Sequence, residues 1–286
     1  MDIVGNSSIW AYLDDRQGCR NATNDEIRVG PGHRVKSYLE LVQKVAELQF
    51  LNRDYVLLYR GQNRDFRNAK NASTLLASLF RPVNGHRPNA GDLVSRFNRL
   101  ESAEQVLLQA YRTQGLPGLE RIERYKILRW SILQHYEIYS TPLLDVTQSL
   151  RIAASVASDG ATSSAYVFVI GVPNLSGAIT ASAEAGLQIV RLSSVCPPSA
   201  MRPHIQEGYL IGQYPEISAY GQKSLYGFSE IDVGRRLVGK FKFNPKTFWT
   251  DDNFRRIDRP ALYPAEAHDP LAQLASRIRN VIQPDC

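Results

Sequence analysis

Tyr55-Val56-Leu57-Leu58-Tyr59-Arg60-Gly61-Gln62 is the stretch on which the reading of the fold turns. Apolar, aromatic and β-branched residues, bounded by Arg53-Asp54 and a polar run, read as a buried strand. An arginine inside such a strand is costly to bury unless something meets its charge. Alternation puts Leu58, Arg60 and Gln62 on one face, and Gly61 allows backbone or ligand to come close. Arg60 therefore reads either as half of a buried ion pair tying the strand to a helix or as an anion or ribose contact in a cleft.

Upstream, Ser37 is a helix cap, and Leu39, Val42, Val45, Leu48 and Leu51 recur at helical spacing behind it. The mixed, Gly/Asn-rich residues 1–34, with the turn Gly30-Pro31-Gly32, read as an arm. Downstream, residues 91–114 and 119–136 carry amphipathic patterns joined by Gly115-Leu116-Pro117-Gly118, an antiparallel helical pair. A short extended piece at 141–147 precedes a small alanine-rich helix at 149–158. Strands are expected at 165–172, 187–192, 204–212 and 237–243, and a last helix at 270–282. The expected class is α+β. Its domain covers 35–245, with a central mixed or antiparallel sheet and the helical pair (about 91–138) inserted, followed by a helical appendage at 246–286.

Composition bounds the function. The chain has 286 residues, 43% hydrophobic and 22% charged, which suits a packed globular core. Apolar runs such as 165–172 are too short for a bilayer, so no membrane contact is expected. The opening Met1-Asp2-Ile3 lacks a secretory pattern, which predicts a cytoplasmic protein. The three cysteines, Cys19, Cys196 and Cys286, form no C-x-x-C pair. The five histidines never fall at i, i+4 spacing, and G-x-x-x-x-G-K, H-E-x-x-H and G-x-S-x-G are absent, so no metal site or phosphate loop is expected. Basic residues exceed acidic ones by 34 to 28, a mild +6. Arg53, Arg60, Arg64, Arg67, Lys70 and Arg81 are its densest run. They read as a solvated surface, a polynucleotide contact, or a contact to a phosphate-bearing small ligand.

Two further segments place polar residues in apolar settings. His135, in Gln134-His135-Tyr136, reads as a cap, a core histidine or a site residue. Asp145, in Leu143-Leu144-Asp145-Val146-Thr147, reads as a helix cap or a site carboxylate. Taken in order, Tyr59-Arg60-Gly61-Gln62, Ser78-Leu79-Phe80-Arg81, Gln134-His135-Tyr136, Leu143 to Thr147 with Ala153, Ala154 and Ala157, and Gln206-Glu207-Gly208-Tyr209 resemble the FRG domain family. The resemblance covers roughly residues 36–215. It departs at Glu137 to Pro142, where the family's Gly-Leu-Pro-Thr-Arg run is replaced by a longer one without the arginine. It departs again at Val146, where a tryptophan is common.

The resemblance implies a bacterial or phage toxin or defence effector with a remote likeness to the ADP-ribosyltransferase fold. On that likeness NAD is the substrate, Arg60, His135, Asp145 and Glu207 are catalytic, and Tyr59, Gly61, Gln62, Arg81, Thr147 and Gln206 hold the cofactor. The implied partners are a macromolecular acceptor, protein or nucleic acid, and a cognate antitoxin or regulator. Strand alternation over 204–212 would turn Glu207 away from the face of Gln206 unless a bulge intervenes. A chain without a carboxylate in its cleft would be a non-catalytic ligand- or partner-binding module, and the basic run keeps open a protein that acts on nucleic acid.

Overall fold

The computed structural model describes residues 8–225 and 232–282. Its strands, in chain order, are β1 (Ile9–Ala11), β2 (Arg20–Ala22), β3 (His33–Arg34), β4 (Val56–Gln62), β5 (Leu144–Thr147), β6 (Ala165–Val172), β7 (Ile179–Ser182), β8 (Leu187–Arg191), β9 (Gly208–Gln213) and β10 (Leu237–Phe243). Helices are interspersed among them, and the class is α+β. The chain divides into two compact units, each gathered from three segments. Among the described residues, unit 1 takes 8–75, 146–176 and 232–262; unit 2 takes 76–145, 177–225 and 263–282.

Unit 1 grows from the stretch around Arg60. β4 runs antiparallel to β6 along its whole length, Val56 opposite Val172 and Gln62 opposite Tyr166. β6 pairs antiparallel with β10, and β10 pairs parallel with β3, so the sheet is mixed. Tyr59 of β4 also pairs with Thr147 of β5. β1 and β2 form a separate antiparallel ribbon. Nearly every residue of β6 is buried, as expected of an apolar run covered on both faces.

Two helices pack on this sheet through Leu41, Val45, Leu48, Ala153 and Ala157 against Leu57, Val167, Val169 and Phe241. The first, Tyr38–Leu51, is capped by Ser37, whose hydroxyl accepts from the Glu40 amide. It buries Tyr38, Leu41, Val45 and Leu48, whereas Leu39 and Val42 are exposed. Steps of three fall short of the 3.6-residue turn, so the expected stripe winds off the face. The second helix, Leu150–Ser158, begins at the Ser149 cap and meets β4 at Gly61. A Cβ on Gly61 would lie 1.9 Å from the Ala153 carbonyl oxygen and 2.8 Å from the Ala157 nitrogen. Residues 246–262 fasten to this helix. Arg151 donates to the Arg255 carbonyl, and Asp159 pairs with Arg256 and Arg259.

Unit 2 joins the antiparallel strands β7, β8 and β9 to helices Ala90–Gln114, Lys126–His135 and Pro270–Ile282. Leu93, Phe97, Leu107, Trp130, Leu133 and Leu274 share its core. The helix expected over 119–136 is two, Leu119–Arg124 and Lys126–His135, broken at an extended Tyr125. Buried Glu104 accounts for the break. It accepts from Arg129 Nε at 2.7 Å and Trp130 Nε1 at 2.8 Å, and Arg129 Nη1 donates to the carbonyls of Ile122 and Glu123 next to the interruption.

The strand expected over 204–212 begins only at Gly208. Met201–Ile205 is helical, Gln206 is its C-cap, and Glu207 takes a left-handed φ of 44° with its N–H bonded to the His204 carbonyl. Alternation therefore does not reach Glu207. No helix among the described residues is long and apolar enough to cross a membrane. Cys19 and Cys196 are free thiols. Cys286, residues 1–7 of the expected arm and 283–286 of the expected appendage lie outside the described residues.

Candidate functional site

A polar constellation in unit 2 forms where the helix Lys126–His135 ends. Tyr136 is its C-cap, and the Ile138 N–H returns to the Leu133 carbonyl past a left-handed Glu137. The Tyr136 hydroxyl donates to buried Asp269, and Arg279 donates to the Tyr136 carbonyl, so this helix end is held from both sides. From it Gln134 and His135 reach Asp145 at the start of β5. Gln134 Nε2 donates to Asp145 Oδ2 at 2.8 Å, and His135 Nδ1 lies 3.1 Å from Asp145 Oδ1.

The orientation of Gln134 is over-determined. Its Oε1 accepts from Ser78 Oγ at 2.7 Å and from Thr141 Oγ1 at 2.8 Å, which leaves the amide nitrogen for the carboxylate. Each hydroxyl is held in turn. Ser78 Oγ accepts from the Thr141 N–H at 3.0 Å, and Thr141 Oγ1 from the Leu143 N–H at 3.2 Å.

His135 is 3% exposed. Burial lowers its pKa, outweighing the Asp145 hydrogen bond that raises it, with Arg202 adding to the fall. The neutral ring then carries its proton on Nδ1 and donates it to Asp145. Nε2 is buried and makes no hydrogen bond among the described residues. Gly208 of β9 closes over it. A Cβ there would sit 3.3 Å from His135 Cε1 and 2.8 Å from Leu192 Cδ1. So enclosed, His135 positions the carboxylate, and its Nε2 is shut off from solvent. Asp145 itself keeps a third of its side chain exposed, 34%, and its charge acts on Arg81, whose Nε donates to the Leu76 carbonyl.

His135, Asp145 and Arg81 thus come together in unit 2. The helix-cap reading of Asp145 gives way, because Ser149 caps the following helix. Gln206 is half-buried at its helix C-cap and Glu207 is exposed on the turn before β9. The remaining candidates lie in unit 1. Tyr59 and Gly61 alternate onto the face of β4 that meets the Leu150–Ser158 helix, and burial pushes the Tyr59 hydroxyl up to about 12. Arg60 and Gln62 point to the opposite face, Arg60 in register with Phe168. Thr147 is buried in β5, its hydroxyl accepting from the Ser149 N–H at 3.0 Å. Among the described residues no three His, Cys, Asp or Glu gather as a metal site.

Ser78, Gln134, Thr141 and Gly208 carry this geometry without having stood out as site residues. Ser78, Gln134 and Gly208 do belong to the motif segments, as polar or minimal residues in apolar company.

Residues 56–164 match the family model of the FRG domain. The chain carries an FRG domain. Neither the comparison with curated proteins nor that with solved structures gave a match. The matched FRG residues include Arg60, Ser78, Gln134, His135, Thr141 and Asp145, and end before Gln206 and Glu207.

Proposed function

We propose that this FRG domain acts on a ribosyl bond, with NAD as substrate and Asp145 as the acting carboxylate. The observation that carries the reading is the carboxylate itself: partly exposed, and fixed through both oxygens by a locked amide and a sealed imidazole. Cleavage of the nicotinamide–ribose bond sends the bonding electron pair to nicotinamide and leaves positive charge on the sugar. A nearby carboxylate stabilises that charge. An acceptor hydroxyl or amine then adds to the same carbon and gives up a proton. Asp145 supplies the negative charge that had been sought at Glu207. The order of Arg60, the Asp145–Thr147 segment and Gln206-Glu207 supports a likeness to ADP-ribosyltransferases at the level of fold alone.

In this reading the protein is a cytoplasmic toxin or defence effector with a macromolecular acceptor and a cognate regulator. Incubating purified protein with NAD, with and without cell extract, tests it. Free nicotinamide or a modified macromolecule is expected, and Arg60→Ala should abolish it with the fold intact. Turnover that survives in Arg60→Ala assigns the motif arginine to structure.

A second reading, a non-catalytic ligand-binding module, draws on the same geometry. Both Asp145 oxygens already accept from within the chain, which suits a fixed hydrogen-bond acceptor. Saturable NAD binding without nicotinamide release would select it.

A further inference from the structure

A second site lies in unit 1, at the sheet end where β4 finishes and β6 begins. Gln62 pairs with Tyr166 there, so the loop leaving β4 and the loop entering β6 stand side by side. They border an open cavity of about 500 Å³ lined by Asn63, Arg64, Thr162, Ser163, Ser164 and Tyr166, with Asp65 and Arg67 in its wall.

The charges of that wall are unequal. Asp65, its side chain 6% exposed, is met by two cations, Arg67 at 2.8 Å and fully buried Lys240 at 3.1 Å. Both are locked. Arg67 also donates to the carbonyls of Val29, Gly30 and Asn71, and Lys240 to those of Arg28 and Gly30 and to Ser73 Oγ. Within the wall Arg67 balances Asp65, and Lys240, which stands behind the lining, adds a second positive charge that burial weakens by pushing the ammonium down to about 8. Arg64 adds a third cation at the rim. Its guanidinium rests 4.5 Å over the Phe66 ring, an arrangement that leaves its N–H edge available. Around it are residues with hydroxyl or amide donors, and among the described residues no carboxylate besides Asp65 lines the space.

We propose that this cavity binds a phosphate ester, with Arg64 as its anchor. A guanidinium offers phosphate a forked pair of charge-assisted hydrogen bonds. The hydroxyl residues Thr162, Ser163 and Ser164 and the Asn63 amide supply the neutral donors that complete such a site. The volume suits a mononucleotide-sized group. The assignment is independent of the ribosyl reading, since it uses neither Asp145 nor His135.

Titration of the full chain with inorganic phosphate, AMP and a short oligothymidylate tests it. AMP or the oligonucleotide should bind, and Arg64→Ala should weaken binding about tenfold or more, the share of a hydrogen-bonded charge pair. Arg64→Lys should recover part of that loss by restoring charge without the fork. Arg53→Ala, another exposed arginine set on an aromatic ring, should bind like the parent. Oligothymidylate that outbinds AMP with a steep salt dependence identifies a polynucleotide backbone as the source; AMP at least as tight identifies a free phosphate ester. The assignment falls if no phosphate probe binds, if Arg64→Ala binds like the parent, or if Arg53→Ala loses as much as Arg64→Ala.

Discussion

Stability should depend on His135 in a definite direction. The folded ring is held neutral by burial, with Asp145, Arg202 and Glu137 as its charged neighbours, while in the unfolded chain a histidine titrates near 6.5. Below that pH the unfolded state binds a proton that the folded state refuses, so the unfolded state gains. The contribution is fully present above 6.5 and is lost as pH falls toward the depressed folded pKa. The slope in that window approaches about 1.4 kcal/mol per pH unit for one proton. His135→Asn keeps an amide donor near the position of Nδ1 and removes the titration. Urea unfolding of parent and variant at several pH values between neutral and mildly acidic isolates the term, because the other groups cancel in the difference. The parent should lose stability more steeply than His135→Asn below pH 6.5, and the His135 ring nitrogens should show no titration above it by NMR. Parallel pH profiles, or a His135 titration above 6.5, would refute the sealed, neutral imidazole.

Two glycine substitutions test the packing that builds the sites. Gly61→Ala forces a methyl into the Ala153 backbone, which cannot swing aside as a side chain can. It should cost at least about 1–3 kcal/mol of unfolding free energy, and a thermal midpoint equal to the parent's would show that the helix does not press on β4. Gly208→Ala meets the His135 ring and the end of Leu192. It should shift the His135 resonances, and adding Leu192→Ala should return part of the lost stability. Resonances unchanged in the single variant would remove the seal over His135.

Much of the sheet is legible in the residues because its strands are long and apolar. The patterns at 165–172 and 237–243 coincide with β6 and β10, and the leucine and isoleucine spacing at 270–282 gives the last helix its bounds. β3 is two residues long, too short for any period to show. The break at Tyr125 depends on Glu104, which arrives from another helix, and local spacing carries no trace of it. The stretch 204–212 misleads because Gln206 and Glu207 sit in a turn that local alternation does not reveal.

Asp145 could be singled out as a carboxylate among apolar neighbours. Its orientation could not, because that comes from Ser78 and Thr141, far apart in the chain, both donating to the one oxygen of the Gln134 amide. Gly61 shows the converse. It is conspicuous in sequence as an opening for backbone or ligand, and the helix backbone is what fills it.

The most direct test of Asp145 as the acting carboxylate is nicotinamide release from NAD by Asp145→Asn, with Glu207→Gln measured beside it. Asparagine preserves shape and removes the charge, so release by Asp145→Asn should fall about 10²–10³-fold, the usual cost of one electrostatic contact to a transition state. Glu207→Gln should turn over like the parent. The opposite pattern, with Glu207→Gln inactive and Asp145→Asn unaffected, or a parent that releases no nicotinamide in the presence of cell extract, contradicts the account.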